Sequence, residues 1–201
     1  EKYIEKTINS ILNQSYKNFE YIIIDGGSSD GTLDKKVPYE KHLKHLVSEP
    51  DNGIYHAMNK GIKLSKGKFI GFLNSDDFFY ENTLMKLAAA VKEKEFDYTI
   101  GPVDIIDKSE NFLERMTVLK NFNTNKKFYY RMATPHQGFF IKRLFFKKIG
   151  LFDEVFTLSA DFDMTIRAIK TSKSYFEFSE SVGSFRLGEG SNYSTFSQNF
   201  F

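Results

Sequence analysis

An apolar segment that ends in two adjacent carboxylates restricts the fold of this chain more than any other feature. Residues 69–73 read Phe-Ile-Gly-Phe-Leu, and Asn74, Ser75, Asp76 and Asp77 follow directly. The apolar part predicts a buried strand, where charged side chains are costly unless a ligand or partner uses them. In open α/β sheets, ligands bind at the carboxyl ends of the strands. Mg²⁺ or Mn²⁺ prefers carboxylate oxygens and leaves positions for phosphate, so the segment predicts a metal–diphosphate site.

Helical and extended patterns alternate through the first half of the chain. Helices are predicted over 1–13, 54–64 and 81–94, and strands over 20–25, 46–48 and 68–74. This alternation is typical of an α/β fold with a Rossmann-like, mostly parallel central sheet flanked by helices. The second half is less regular, with strands predicted over 98–106 and 112–119 and a helix over 161–171. We expect one domain over residues 1–201, with two halves that meet near residue 110.

Composition excludes several classes of protein. Lys and Arg number 28 against 26 Asp and Glu, and this balance argues against a nucleic-acid partner. Because the chain has no cysteine, disulfides and thiolate metal sites are excluded. No apolar run approaches the roughly 20 residues of a membrane span. The 22 Phe residues predict a core packed by aromatic rings.

A second predicted strand also ends in a carboxylate. Residues 21–24 are apolar, and Asp25 is followed by a Gly/Ser turn that contains Gly27 and Ser28. Asp25 is suited to accept hydrogen bonds from a base or ribose, and the glycines allow a ligand to approach the backbone. The same residues fit an ordinary strand-to-helix turn capped by Ser29 or Asp30.

Residues 27–31 also match the G-x-S-x-G pattern of a nucleophile elbow, with Ser29 as the nucleophile. That elbow normally follows several strands, whereas only one predicted strand precedes this turn. A serine hydrolase is therefore the weaker alternative.

A loop that leads into a helix adds further candidate ligand contacts. Asp51 begins a short Asp-Asn-Gly loop, and the helix that follows carries Asn59 and Lys60. The free amides at a helix start favour an anion. The alternative is a plain turn before an amphipathic helix.

Two more segments contain candidate catalytic groups. Asp161 lies near the start of a predicted helix, where it is either a general base or a partner of the helix dipole. Asp163 is the other carboxylate of this segment. His136, in a polar turn, is either a metal or phosphate contact or a structural histidine.

Basic and aromatic residues interleave over 126–131 and 142–148. This pattern fits contact with a membrane surface, or a solvated face above a Phe core.

Together, these segments resemble the family 2 glycosyltransferases of GT-A fold. The matching segments are 24–32, 51–61, 67–77 and 150–163, and they occur in family order. Asn74 occupies the place of the first Asp in the family's D-x-D metal motif, which leaves most of the metal binding to Asp76. Ala160 occupies the place of a Glu in the base motif, which leaves Asp161 as the matching carboxylate. The family's first strand would precede residue 1.

The resemblance implies an enzyme that transfers a sugar, with inversion, from a nucleoside-diphosphate sugar, UDP-sugars being favoured. The acceptor would be a saccharide or a lipid-linked hydroxyl, in surface polysaccharide or glycolipid synthesis at the inner, cytoplasmic face of a membrane. Asp161 would be the base, Asp76 and Asp77 would hold Mg²⁺ or Mn²⁺, and a Gly/Ser-rich flap over 188–193 would cover the donor. The implied substrate-binding residues are Asp25, Gly27, Ser28, Asp51, Asn59, Lys60, Asn74 and His136. A non-catalytic module that binds nucleotide sugars is the main alternative.

Overall fold

Helices and strands alternate through residues 1–119 and 132–188, the part of the chain that the computed structural model describes. The helices are α1 (Ile4–Leu12), α2 (Thr32–Lys36), α3 (Ile54–Leu64), α4 (Thr83–Glu93), α5 (Phe146–Ile149) and α6 (Ala160–Thr171). The strands are β1 (Ile22–Asp25), β2 (His45–Ser48), β3 (Phe69–Ile70), β4 (Phe78–Phe79), β5 (Tyr98–Ile100), β6 (Val103–Ile106), β7 (Phe112–Met116), β8 (Ile141–Lys142), β9 (Tyr175–Glu177) and β10 (Gly183–Arg186). Short 3-10 segments cover Val37–His42, His136–Gly138 and Arg143–Phe145.

Among the described residues, the strands form three sheets. β1 and β2 pair in parallel, with Asp25 opposite Ser48. The second sheet has the order β4-β10-β6-β7 and the third has the order β3-β8-β5-β9. β10–β6 and β5–β9 are parallel pairs, whereas β4, β7, β3 and β8 join their neighbours in antiparallel fashion. The α/β architecture is as expected, and the strand pairing is mixed.

The first helix packs as its pattern predicts. Ile4, Thr7, Ile8 and Ile11 recur at helical spacing and form its buried face. Ile4 and Ile8 share a small core with Ile23 of β1. This packing holds α1 against the strand that ends at the predicted donor site.

Two predicted strands are interrupted at glycines. The strand expected over 68–74 ends at Ile70, and a Cβ on Gly71 would lie 2.4 Å from the Phe140 ring. The strand expected over 98–106 is two strands, β5 and β6, in different sheets. Gly101 and Pro102 separate them, and a proline has no N–H to donate to a ladder. The chain leaves one sheet and enters the next at this point.

A groove of about 840 Å³ is lined in part by Ile22 and Ile24 of β1 and by residues 69–73. Within the described ranges, β1 pairs only with β2 and β3 pairs only with β8. Each strand therefore has one edge without a strand partner. Asn74 and Asp76 also line this groove, so it includes part of the turn that carries the predicted metal ligands.

The basic and aromatic residues of 142–148 divide between surface and core. Phe145 and Phe146 are buried, whereas Arg143, Lys147 and Lys148 are exposed. This is the pattern of a solvated face above an aromatic core. The segment 126–131 and the predicted flap, apart from residue 188, lie outside the described residues. In the described part of the chain, no helix has the length and apolarity needed to cross a bilayer.

Candidate active site

The two adjacent carboxylates of the turn after β3 have different environments. Asp77 is 1% exposed, and its Oδ2 accepts a hydrogen bond from Gln137 Nε2 at 2.6 Å. Its Oδ1 accepts one from the Arg186 backbone N–H at 2.8 Å. Asp76 is half-buried, and its carboxylate makes no hydrogen bond or ion pair to any residue that the structure describes. Asp76 is therefore the carboxylate left free for a ligand.

Burial raises the pKa of Asp77 to about 6, and the neighbouring Asp76 acts in the same direction. His136, the Arg186 N–H and Gln137 oppose this effect because they stabilise the ionised form. The position of Asp77 indicates a structural contribution to the turn, while its predicted role as a metal ligand stays a prediction.

Side chains from β10 and from α1 hold the backbone of the Asp76–Asp77 turn. The Arg186 side chain of β10 is almost fully buried, and its Nε donates to the Asp76 carbonyl at 3.0 Å. Its guanidinium also pairs with Glu110 at 3.0 Å. From α1, the Thr7 hydroxyl donates to the Asp77 carbonyl at 2.7 Å. These contacts hold the backbone of the Asp76–Asp77 turn in place, while no described residue binds the Asp76 carboxylate.

The donor atoms of the turn fit a hard divalent cation. In the described residues, no group of three or more His, Asp or Glu side chains converges on a metal position. Asp76 offers one charged oxygen and Asn74 one amide oxygen, and both residues line the end of the groove. Mg²⁺ commonly takes one or two carboxylates and completes its octahedron with water and substrate phosphates. Mn²⁺ prefers similar oxygen ligands.

Asp25 is the centre of a saturated network at the end of β1. Its Oδ1 accepts hydrogen bonds from Lys36 Nζ at 2.7 Å and from the Ser28 hydroxyl at 2.6 Å. Its Oδ2 accepts them from the Ser48 hydroxyl at 2.7 Å and from the Ser28 and Gly27 N–H groups at 3.0 and 3.2 Å. Burial alone would raise the pKa of Asp25, but these donors, Lys36 foremost, hold it well below its usual range. The structure thus gives Asp25 the task of ordering the turn that holds Gly27 and Ser28.

The loops after β1 and β2 are in contact. A Cβ on Gly26 would lie 2.6 Å from Asp51 Oδ2, so a larger residue at this position would displace the Asp51 side chain. Gly27 adopts a φ of 84°, in the region that favours glycine, with Pro50 as its nearest neighbour. Asp51 Oδ1 accepts a hydrogen bond from the Gly53 N–H at 2.9 Å. Ser29 is exposed, and it makes no hydrogen bond to a histidine among the described residues, so it has no general base there.

Asn59 and Lys60 are neighbours on α3, but their side chains contact different parts of the chain. Asn59 is buried, and its side chain bonds both the N–H and the carbonyl of Phe152 at 3.0 Å. Lys60 instead pairs with Glu49 at 2.8 Å, at the rim of the loop that contains Asp51. Lys60 therefore stays near the predicted donor side, whereas Asn59 holds the segment that leads to α6.

Asp161 lies in the first turn of α6 beside two side chains from distant parts of the chain. Its Oδ1 accepts a hydrogen bond from the Tyr55 hydroxyl at 3.0 Å. Its Oδ2 lies 3.6 Å from His136 Nδ1, beyond hydrogen-bond distance. The neighbouring Asp163 is engaged by Arg167 at 2.7 Å. Of these two carboxylates, Asp161 is the one that has no arginine or lysine partner in the described part of the chain.

One 3-10 segment, His136–Gly138, connects the turn after β3 to α6. His136 lies beside Asp161, and Gln137 donates to Asp77. His136 Nε2 is buried and has no hydrogen-bond partner in the described ranges. The structure thus brings Asp76, Asp77, His136 and Asp161 into one region.

Four residues of this region went unnoticed in the sequence: Lys36, Tyr55, Gln137 and Arg186. Tyr55 precedes Asn59 by one helical turn, and Gln137 adjoins His136, so spacing offered a weak signal for both. Lys36 and Arg186 gave none, because their burial depends on tertiary packing.

Known proteins resemble this chain in sequence. The model of the family described as "Glycosyl transferase family 2" matches residues 1–156. A PGL/p-HBAD biosynthesis glycosyltransferase of Mycobacterium tuberculosis is 34% identical over 172 residues, which cover 80% of this chain and 62% of that protein. An uncharacterized glycosyltransferase of Methanocaldococcus jannaschii is 26% identical over 200 residues, or 96% of this chain and 69% of that protein. This chain thus spans less than two thirds of the mycobacterial relative.

Solved structures share its fold. S. aureus TarS in complex with UDP-GlcNAc superposes with a TM-score of 0.78 at 22% identity, over 97% of this chain and 58% of that chain. This likeness confirms the expected GT-A fold class. The family model covers 156 of the 201 residues. The expected resemblance is therefore confirmed: the chain belongs to glycosyl transferase family 2.

Proposed function

We propose that this chain transfers a sugar from a nucleoside-diphosphate sugar to an acceptor hydroxyl, with inversion at the anomeric carbon. The acceptor O–H bond breaks and its proton passes to the Asp161 carboxylate. The acceptor oxygen bonds to the anomeric carbon from the face opposite the diphosphate, and the departing bond leaves its electron pair on a diphosphate oxygen. The observation that carries the proposal is the His136–Gly138 segment, which contacts both Asp161 and the turn of Asp76 and Asp77.

At the donor end, Asp76 and Asn74 would hold a Mg²⁺ or Mn²⁺ ion. Such an ion, when bound, supplies positive charge that stabilises the charge developing on the leaving diphosphate. The free carboxylate of Asp76 supports this role, and the contacts from Arg186 and Thr7 keep its backbone in place.

The nucleotide would lie over the two contacting loops after β1 and β2. Gly27, Ser28 and Asp51 are the donor-side candidates there, and Lys60 reaches the rim of the same loops. Asp25 supports them from below through its network with Lys36 and Ser48.

At the acceptor end, Asp161 would take the proton. A general base must be unprotonated and within reach of the hydroxyl it serves. Among the described residues, no lysine or arginine side chain pairs with Asp161, so its carboxylate is not held in an ion pair of that kind. Asp163 is less suited because Arg167 occupies its Oδ2.

Relatives support the choice of substrates. TarS has been crystallised with UDP and with UDP-GlcNAc. The mycobacterial relative is named for PGL/p-HBAD biosynthesis. We extend these to a UDP-sugar donor and a saccharide or lipid-linked acceptor for this chain, with transfer at the cytoplasmic face of a membrane.

UDP release from a panel of UDP-sugars with Mn²⁺ tests the proposal. We expect turnover by the parent protein and a loss of at least about 100-fold in Asp161→Asn, because a general base contributes about 10²- to 10⁴-fold. Asp163→Asn, on the same helix, is the matched control and should keep its turnover. Full turnover by Asp161→Asn would contradict the assignment of the base. Donor binding by the parent without any UDP release would favour a binding module, an alternative that the uncharged Asn74 keeps open.

A further inference from the structure

One face of α3 is fastened to the segment that carries Asp161. The Asn59 side-chain amide donates to the Phe152 carbonyl and accepts from the Phe152 N–H. It also donates to Glu154 Oε1 at 2.7 Å. One helical turn earlier, Tyr55 lies over Phe152, with ring centroids 5.5 Å apart and planes inclined by 26°. Because residues four apart share a helix face, both contacts act on the same stretch of chain. The start of α6 is thereby held in a fixed position relative to α3.

The hydroxyl of Tyr55 contacts the predicted base itself. It donates to Asp161 Oδ1 at 3.0 Å, and the Phe162 N–H donates to the same oxygen at 2.9 Å. Burial and the nearby carboxylate raise the pKa of Tyr55 well above its usual range, so the phenol stays protonated and can always donate. A carboxylate oxygen with two donors is poorly placed to take a proton.

The other oxygen of Asp161, Oδ2, accepts no hydrogen bond from the residues that the structure describes. His136 Nδ1 lies 3.6 Å from this oxygen. That separation exceeds the range of a hydrogen bond. The two oxygens of one carboxylate are thus made unequal by their surroundings.

We propose that Tyr55 is a positioning residue that holds Asp161 Oδ1 so that Oδ2 faces the acceptor hydroxyl and receives its proton. The inference rests on the proposed function, since it assumes that Asp161 is the base. In the transfer step, the O–H bond of the acceptor breaks, the proton bonds to Oδ2, and Oδ1 keeps its two donors throughout. Helix α3 therefore contributes to both ends of the proposed site. Tyr55 contacts Asp161 at the acceptor end, and Lys60 pairs with Glu49 in the donor-side loop.

Tyr55→Phe tests this role because it removes the hydroxyl and keeps the ring that stacks on Phe152. The matched control is Tyr98→Phe, which removes another buried phenol hydroxyl, one that donates to the Ser172 carbonyl at 3.3 Å. The assay is UDP release with Mn²⁺ and the UDP-sugar that the parent turns over fastest. We expect kcat to fall about 10- to 100-fold in Tyr55→Phe, since a small misplacement of a reacting group costs up to about 10²-fold. The KM for the donor should stay within about twofold.

The pH dependence gives a readout that a purely structural role would not move. Among the described residues, the titratable side chains that contact Asp161 are Tyr55 from α3 and His136 from the His136–Gly138 segment. Loss of the Tyr55 donor destabilises the ionised carboxylate, so the acidic limb of kcat/KM should move to higher pH in Tyr55→Phe. The limb should not move in Tyr98→Phe.

The outcomes separate this inference from the proposed function. Loss of turnover in Asp161→Asn with unchanged kcat in Tyr55→Phe would overturn the positioning role alone. Full turnover in Asp161→Asn would overturn the base and the inference together. An equal donor-induced thermal shift in the parent and Tyr55→Phe would show that the variant is folded. A second variant, Tyr55→Met, should lose as much kcat as Tyr55→Phe, and normal kcat in this variant would also refute the inference.

Discussion

Replacing Asp77 with asparagine tests whether burial of this carboxylate lowers the stability of the folded chain. The introduced amide has nearly the same shape, and its oxygen can still accept the Arg186 N–H that Asp77 accepts at 2.8 Å. Its NH₂ group would face Gln137, whose Oε1 is buried and has no hydrogen-bond partner among the described residues. Rotation of the Gln137 amide would pair that oxygen with the new N–H. The variant therefore keeps the hydrogen bond between residues 77 and 137, and the Gln137 atom that lacks a partner changes from Oε1 to Nε2.

The pKa of Asp77 sets the size and sign of the effect. Burial raises this pKa to about 6, against an ordinary value of 3.8 in an unfolded chain. Between these values the folded chain binds more protons than the unfolded chain, so the free energy of unfolding falls as pH rises through the window. The difference corresponds to about 3 kcal/mol at pH 8 and roughly half of that at pH 5. Asparagine does not ionise, so Asp77→Asn should be more stable than the parent by up to these amounts.

Urea unfolding followed by circular dichroism, in EDTA to remove metals, measures this difference at pH 5 and pH 8. We expect the variant to be more stable at both values, with the larger advantage at pH 8. A variant that is less stable than the parent at pH 8, or an advantage that does not change with pH, would refute the argument from burial.

Three further substitutions probe the packing around the site, each measured by urea unfolding at pH 7. Lys36→Met should cost about 3–5 kcal/mol because it strands the buried Asp25 carboxylate, and adding Asp25→Asn should recover part of that loss. Gly71→Ala should cost about 1–3 kcal/mol, since its Cβ would meet the Phe140 ring at 2.4 Å. Gly61→Ala is the opposite case: its Cβ would meet only Ile24 at 3.8 Å, so the variant should gain up to about 1 kcal/mol of helix propensity. An unchanged free energy of unfolding in Lys36→Met or Gly71→Ala, or a lower one in Gly61→Ala, would contradict these predictions.

Local patterns in the sequence predicted the elements that frame the site. The helical spacing of Ile4, Ile8 and Ile11 predicted α1, and the structure confirms that buried face. The apolar run before Asp25 predicted β1, and the structure has this strand at Ile22–Asp25. These features depend on residues close together in the chain, where periodicity is informative.

Long-range contacts decide what the candidate residues do, and the sequence did not reveal them. The family resemblance favoured Asp76 as the metal ligand, but it did not reveal that Gln137 and Arg186, more than 50 residues away, bind the Asp77 carboxylate. In the described part of the chain, the Asp76 carboxylate has no such partner. Asn59 was expected to face a ligand because it lies on the helix after the donor loop. In the structure it contacts Phe152 instead, because the other side of that helix meets the segment before α6. The ion pair of Asp25 with Lys36 likewise follows from how α2 folds back on β1.

Calorimetric titration of UDP in the presence of Mn²⁺ tests the central claim most directly, because that claim assigns separate tasks to the two ends of one site. The account predicts that Asp76→Ala loses the metal-dependent part of UDP binding, at least about tenfold in Kd, or about 1.4 kcal/mol. It predicts that Asp161→Asn binds UDP as the parent does. Parent-like, Mn²⁺-dependent binding by Asp76→Ala, or lost binding in Asp161→Asn, would contradict the claim.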